Sequence, residues 1–151
     1  RAGVKFRLTR VSPYAQSQEE IAIFPADNYF VHIPTKQMAC LYREANLFIG
    51  PSHAEEGFGL PVLESLSSGL PVVLSDTPAH QHIARSAAEF FKCSNICSLA
   101  ESVSSLLVSE KRQRILSRMG PIEANRFRTS DVIDNLIAVF SKYLKRRYVQ
   151  R

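Results

Sequence analysis

Two glutamates eight positions apart, Glu56 and Glu64, bracket a short turn and the start of an apolar segment in 54-AEEGFGLPVLESLSSGLPVVLSD-76. Gly57 and Gly59 admit backbone conformations closed to other residues and leave room for a ligand to approach. Pro61 suits the first turn of a helix beginning near Leu60, where its missing N–H is no loss. The free amides of such a turn, with the helix dipole, favour a phosphate or pyrophosphate. Glu64 falls about one turn into that helix. Aimed at a phosphate it would repel it, so its chemistry fits neutral hydroxyls that donate to it, such as the two of a ribose. Glu56, ahead of the glycines, can do the same for a sugar or face positive charge developing on one. The plain alternative is that both are solvated carboxylates and the glycines serve only the turn.

Short apolar runs alternating with amphipathic stretches must position this turn. Residues 4–8 (VKFRL), 29–33 (YFVHI), 47–50 (LFIG), 71–74 (PVVL) and 88–91 read as strands. The first ends at Ser12-Pro13 and the second at Pro34. Thr35 is the expected N-cap of a helix over 36–44, with Met38, Leu41 and Tyr42 on one face. Asp76 is expected to cap the turn before Thr77-Pro78, and His80 and His82 to lie on a polar turn or helix face. From Ser98 the chain turns helical: Leu99, Val103, Leu106 and Leu107 form one stripe. Gly120-Pro121 punctuates the next helix, and Asp131, Leu136, Val139, Phe140 and Leu144 belong to a last amphipathic one. Apolar strands separated by helices predict an α/β fold, a Rossmann-like parallel sheet with helices on both faces. The loop after residue 50 then lies at the carboxyl end of a strand, where such sheets bind ligands.

A chain of 151 residues without internal repeat or linker reads as one domain. No apolar run approaches the roughly 20 residues of a membrane span. The opening residues RAGVKFRL are already the approach to a strand, as if the chain began inside something larger. The formal charge of +5 favours anionic partners: nucleotide phosphates, an acidic membrane surface, or nucleic acid. Lys142, Lys145, Arg146, Arg147 and Arg151 crowd the end of the chain, but the two tyrosines among them make no base-stacking surface, so nucleic acid is not expected. Cys40, Cys93 and Cys97 suggest free thiols in a reducing, cytoplasmic setting. Their spacing gives no zinc site, and no metal is expected.

The stretch EGFGLPVLESLSSGLPVVLSD resembles the signature of the retaining nucleotide-sugar glycosyltransferases of family 4, the group-1 glycosyltransferases. LYREANLFIGPS resembles that family's strand and Pro-Ser entry. SDTPAHQHIA is similar to the segment after its next strand, and residues 98–126 to its C-terminal helical pair. The resemblance implies the C-terminal, donor-binding half of a GT-B fold, so that residues 1–151 form a single nucleotide-sugar binding domain. It places Glu56 in the catalytic position, against the hydroxyls of the transferred sugar. Gly57, Phe58 and Gly59 would approach that sugar, Leu60 and Pro61 would border the pyrophosphate, and Glu64 would hold the ribose. It implies no metal and no cofactor beyond the nucleoside diphosphate sugar itself. The basic end around residues 145–147 reads first as a solvated helix end; contact with a membrane surface, as in relatives acting on lipid-linked acceptors, is the alternative.

The chain also departs from the family. No Gly-Arg…Glu-Lys-Gly loop, which neutralises the leaving diphosphate, precedes Val4, and the strand before that loop is missing with it. The N-terminal acceptor domain is absent, and PSHAEEGFG is one residue longer than the commonest form. Two functions are therefore carried forward: the donor-binding half of a retaining glycosyltransferase, inactive when isolated, or a stand-alone, non-catalytic module binding a nucleotide or a partner.

Overall fold

The structure is a computed structural model that describes residues 5–23, 25–53 and 58–148. Strand β1 (Thr9–Ser12) and strand β2 (Asn28–Val31) pair in parallel, Thr9 opposite Asn28 and Ser12 opposite Val31, across helix α1 (Gln18–Ile23). The expected strand over 4–8 is thus displaced, with Val4 outside the described residues. The partner decides this: β2 begins only at Asn28, and just before it the Leu8 amide donates to Asp27 Oδ2 at 2.6 Å. Helix α1 was not foreseen. Ser17 and Glu20 cap it reciprocally, each side chain accepting the other's backbone N–H at 3.1 Å. The Ser17 amide first, and next the Arg10 guanidinium, which donates to Glu20 Oε1 at 3.1 Å, hold the Glu20 carboxyl below its usual range.

Next come helix α2 (Thr35–Glu44), strand β3 (Phe48–Gly50), helix α3 (Leu60–Ser67), strand β4 (Val72–Ser75), helix α4 (Pro78–Ala84) and strand β5 (Glu89–Phe91). Thr35 is not the cap of α2. It is already helical, Pro34 precedes it, and no side chain caps that end. The second sheet is parallel, ordered β3-β4-β5, with Phe48 opposite Val72 and Val73 opposite Glu89. Where one continuous sheet was expected, two ladders form.

Every residue of β4 is buried, and its alternation serves two cores. Val72 and Leu74 pack with Val62 and Leu66 of α3, Ile83 and Ala84 of α4, and Ala124. Val73 points to the other face, with Phe91, Leu106 and Leu116. Helices thus cover both faces of this sheet, as the apolar strands require.

Helix α5 (Ile96–Val108) and helix α6 (Glu110–Ala124) are followed by a 3₁₀ turn (Asn125–Phe127) and helix α7 (Thr129–Tyr148). Asn95 Oδ1 caps α5 through the Ser98 amide at 2.9 Å. Gly120-Pro121, read as a break, lies inside α6. The pair marks a close crossing: a Cβ on Gly120 would stand 2.9 Å from the Leu66 carbonyl oxygen of α3. Helix α7 is amphipathic but unpartnered among the described residues, with Leu136, Phe140 and Leu144 each more than half exposed. No described helix is long and apolar enough to cross a membrane.

Candidate functional site

Residues 54–57, including Glu56 and Gly57, lie outside the described residues, so the site is built from what flanks them. Strand β3 ends at the buried Gly50, where a Cβ would stand 2.8 Å from Leu74 Cδ2. The chain leaves through Pro51 and Ser52. It returns at Phe58 and enters α3 through Gly59, whose φ of 74° is left-handed and open chiefly to glycine. This puts the head of α3 at the carboxyl end of a parallel strand, the position the spacing predicted.

The start of α3 offers fewer amides than an ordinary helix. Pro61 has none, and the Val62 N–H is taken by the Gly59 carbonyl at 2.9 Å. Donors for an anion must therefore come from the backbone ahead of Pro61. Phe58 and Leu60 are exposed beside this point. The Phe58 ring meets Phe127 edge-on, with centroids 5.5 Å apart, and Phe127 in turn contacts His82.

Glu64 lies on the exposed side of α3, one turn in, and does not stand free. The Tyr42 hydroxyl of α2 donates to Glu64 Oε2 at 3.0 Å. The Tyr42 ring is buried against Phe48, edge-on at 6.1 Å. Burial, then the charge of Glu64, then this hydrogen bond push the phenol well above its ordinary pKa.

Beneath Gly59 sits His80, 1% exposed. Thr77, not Asp76, caps α4, accepting from the His80 amide at 3.3 Å. Asp76 instead accepts from the Cys93 amide at 2.8 Å and so ties β4 to the segment after β5. His80 Nδ1 lies 3.0 Å from the Ser75 carbonyl oxygen and 3.1 Å from Ser75 Oγ. The Ser75 hydroxyl hydrogen goes to the Ser52 carbonyl at 2.7 Å, so Nδ1 carries the ring proton toward Ser75. Nε2 has no hydrogen-bond partner among the described residues, and a Cβ on Gly59 would stand 3.7 Å from it. This chain of contacts fixes the exit of β3 from below.

Of the expected site residues, the structure gathers Phe58, Gly59, Leu60, Pro61 and Glu64 at one helix start. Sequence reasoning missed Tyr42 and His80. Tyr42 shares a helix face with Met38 and Leu41, and the signal lies there: a buried phenol needs a partner for its hydroxyl. Among the described residues no group of three or more His, Cys, Asp or Glu side chains could hold a metal ion. Cys40, Cys93 and Cys97 are free thiols. The side chains of Lys145, Arg146 and Arg147 lie outside the description.

Residues 26–121 match the family model of glycosyl transferases group 1, a span running from before β2 into α6. The chain is 28% identical over 99 residues to O-antigen chain mannosyltransferase B of Escherichia coli, covering 66% of this chain and 26% of that protein. It is 27% identical over 136 residues to D-inositol 3-phosphate glycosyltransferase of Segniliparus rotundus, covering 84% of this chain and 27% of that one. The chain thus spans about a quarter of the length of these relatives. Sucrose-phosphate synthase from Thermosynechococcus elongatus shares the fold over 85% of this chain and 33% of its own, with a TM-score of 0.70 at 21% identity. The C-terminal domain of a group 1 family glycosyl transferase from Francisella tularensis does so over 73% and 59%, with a TM-score of 0.58 at 18% identity. A family model that takes in β2 through most of α6, and with them the head of α3, covers more than half of the sequence; this chain belongs to the group 1 glycosyltransferases.

Proposed function

We propose that this chain is the nucleotide-sugar binding domain of a retaining glycosyltransferase of family 4. One observation carries the reading: a left-handed glycine turn opens α3 at the end of β3, and a glutamate stands one turn along with a side chain holding it. In a member of the group 1 family, that arrangement suits a diphosphate at the turn and a ribose at Glu64. Glu56 then serves the transferred sugar, with the backbone from Gly57 to Gly59 beside it and Leu60 and Pro61 bordering the pyrophosphate. The sugar is transferred to an acceptor with its anomeric configuration kept, and the leaving phosphate takes the acceptor's proton. Stabilising charge on that diphosphate supplies much of the catalysis. The domain needs no metal or further cofactor in this reading, and it works in the cytoplasm, with its basic end against a membrane surface. The names of its relatives, a mannosyltransferase and an inositol phosphate glycosyltransferase, agree with a sugar donor.

Calorimetric titration tests the assignment of the two carboxylates. A hydrogen bond to a charged partner is worth about 1.5–3 kcal/mol. Glu64→Ala should therefore weaken a nucleoside diphosphate and its sugar conjugate alike, by roughly tenfold to a hundredfold. Glu56→Ala should spare the plain diphosphate and weaken only the conjugate. Equal losses for both ligands in the Glu56 variant would overturn the assignment.

A further inference from the structure

An exposed glutamate ordinarily samples several rotamers, and ordering it on binding costs free energy. Glu64 is exposed, yet one of its oxygens is already engaged by Tyr42. Tyr42 is suited to that task. Its ring is 8% exposed and stacked edge-on against Phe48, so the hydroxyl projects from a fixed base. A phenol has few torsions to lose, and a neutral donor beside a carboxylate adds no charge that would compete with a ligand for it. Among the described residues no hydrogen bond to Glu64 Oε1 is recorded, which leaves that oxygen for a second donor.

We propose that Tyr42 is a positioning residue for nucleotide binding: its hydroxyl holds Glu64 Oε2 so that the other carboxylate oxygen meets the ribose hydroxyls of a nucleoside diphosphate. The proposal rests on the reading of Glu64 as the ribose contact. Tyr42 itself touches no ligand. It makes the site selective for ribose, because an unheld carboxylate would have to be ordered by the ligand's own hydroxyls.

The test uses the 151-residue chain and two probes, the tightest binder among UDP, GDP and ADP and its 2′,3′-dideoxy analogue. Tyr42→Phe should weaken the ribonucleotide by about threefold to tenfold and leave the dideoxy analogue unchanged. In the Glu64→Ala background it should cause no further loss, because nothing remains to be held. A Tyr42→Phe variant that loses both probes equally, or that keeps the wild-type preference while Glu64→Ala abolishes it, overturns the role of Tyr42 alone. If Glu64→Ala itself keeps the preference for ribose, the reading of Glu64 falls and this role with it. Glu64→Asp carries the test should Tyr42→Phe fail to fold. It draws the carboxylate back by one methylene at an exposed position, and the ribose preference should fall; wild-type preference would show that placement is unimportant.

Discussion

Ionising Tyr42 would set a phenolate 3.0 Å from a carboxylate, with its ring still buried against Phe48. The folded protein therefore keeps this proton to a higher pH than the unfolded chain, whose phenol titrates at the ordinary 10.0. The sign follows from linkage: the contribution is fully present below 10.0 and is lost as the pH rises above it, because the unfolded state then releases a proton that the folded state retains. Urea midpoints of wild type and Tyr42→Phe should keep a constant separation up to about pH 10, with the wild type falling more steeply above it. Parallel curves through about pH 11 would contradict the raised phenol. At this scale, spacing placed Glu64 correctly because its distance from the glycine turn is local. Its partner lies 22 positions away, and only the docking of α2 beside α3 brings the two together. His80 was legible only as a polar position near Thr77-Pro78. That its Nδ1 turns back to Ser75 while Nε2 lies under Gly59 depends on how α4 enters the fold.

The helices that carry the site are held by α6, which crosses α3 closely enough that Gly120 has no room for a side chain. The Pro121 ring costs one helical hydrogen bond there and ends nothing. Gly120→Ala would drive a methyl against the Leu66 backbone, which cannot step aside as a side-chain tip can. It should destabilise the protein by about 1–3 kcal/mol through overpacking, despite the better helix propensity of alanine. Thermal or urea unfolding measures this directly, and an unchanged midpoint would show that the crossing relaxes freely. The same pair explains a misreading. Gly-Pro is a sound local signal for a turn, and tertiary packing overrides it here: α6 runs on through Pro121, and Gly120 is where α3 crosses it closely. The strands of the second sheet were legible nearly to the residue, since continuous apolar runs with both faces covered leave little choice. Helix α1 escaped notice although Ser17 and Glu20 are spaced as a capping box, because no apolar stripe accompanies it: none of its residues is buried.

For the whole molecule, the parallel α/β class was legible, but the continuity of the sheet was not. A doubly wound sheet runs 3-2-1-4-5-6, with its first strand between the second and the fourth. If β1 to β5 stand for strands two to six, the ladders β1-β2 and β3-β4-β5 are the two halves of that order. No strand among the described residues takes the joining place. In that order the cleft lies where the halves meet, and the head of α3 after β3 stands beside it. One wall of a cleft can bind a donor but cannot orient an acceptor against it, and positioning two reactants is worth about 7–11 kcal/mol of a barrier. The 151 residues span about a quarter of the length of their matched relatives. We therefore expect the isolated chain to bind nucleotide without transferring sugar. A hundredfold excess of ligand over its Kd should raise stability by about 2.7 kcal/mol, read as a thermal shift. In the same preparation, radiolabelled donors mixed with sugar, lipid and inositol phosphate acceptors should give no glycosylated product above a Glu64→Ala control. Reproducible transfer by the purified chain would show that this one domain supplies both walls, and the division of labour argued here would be wrong.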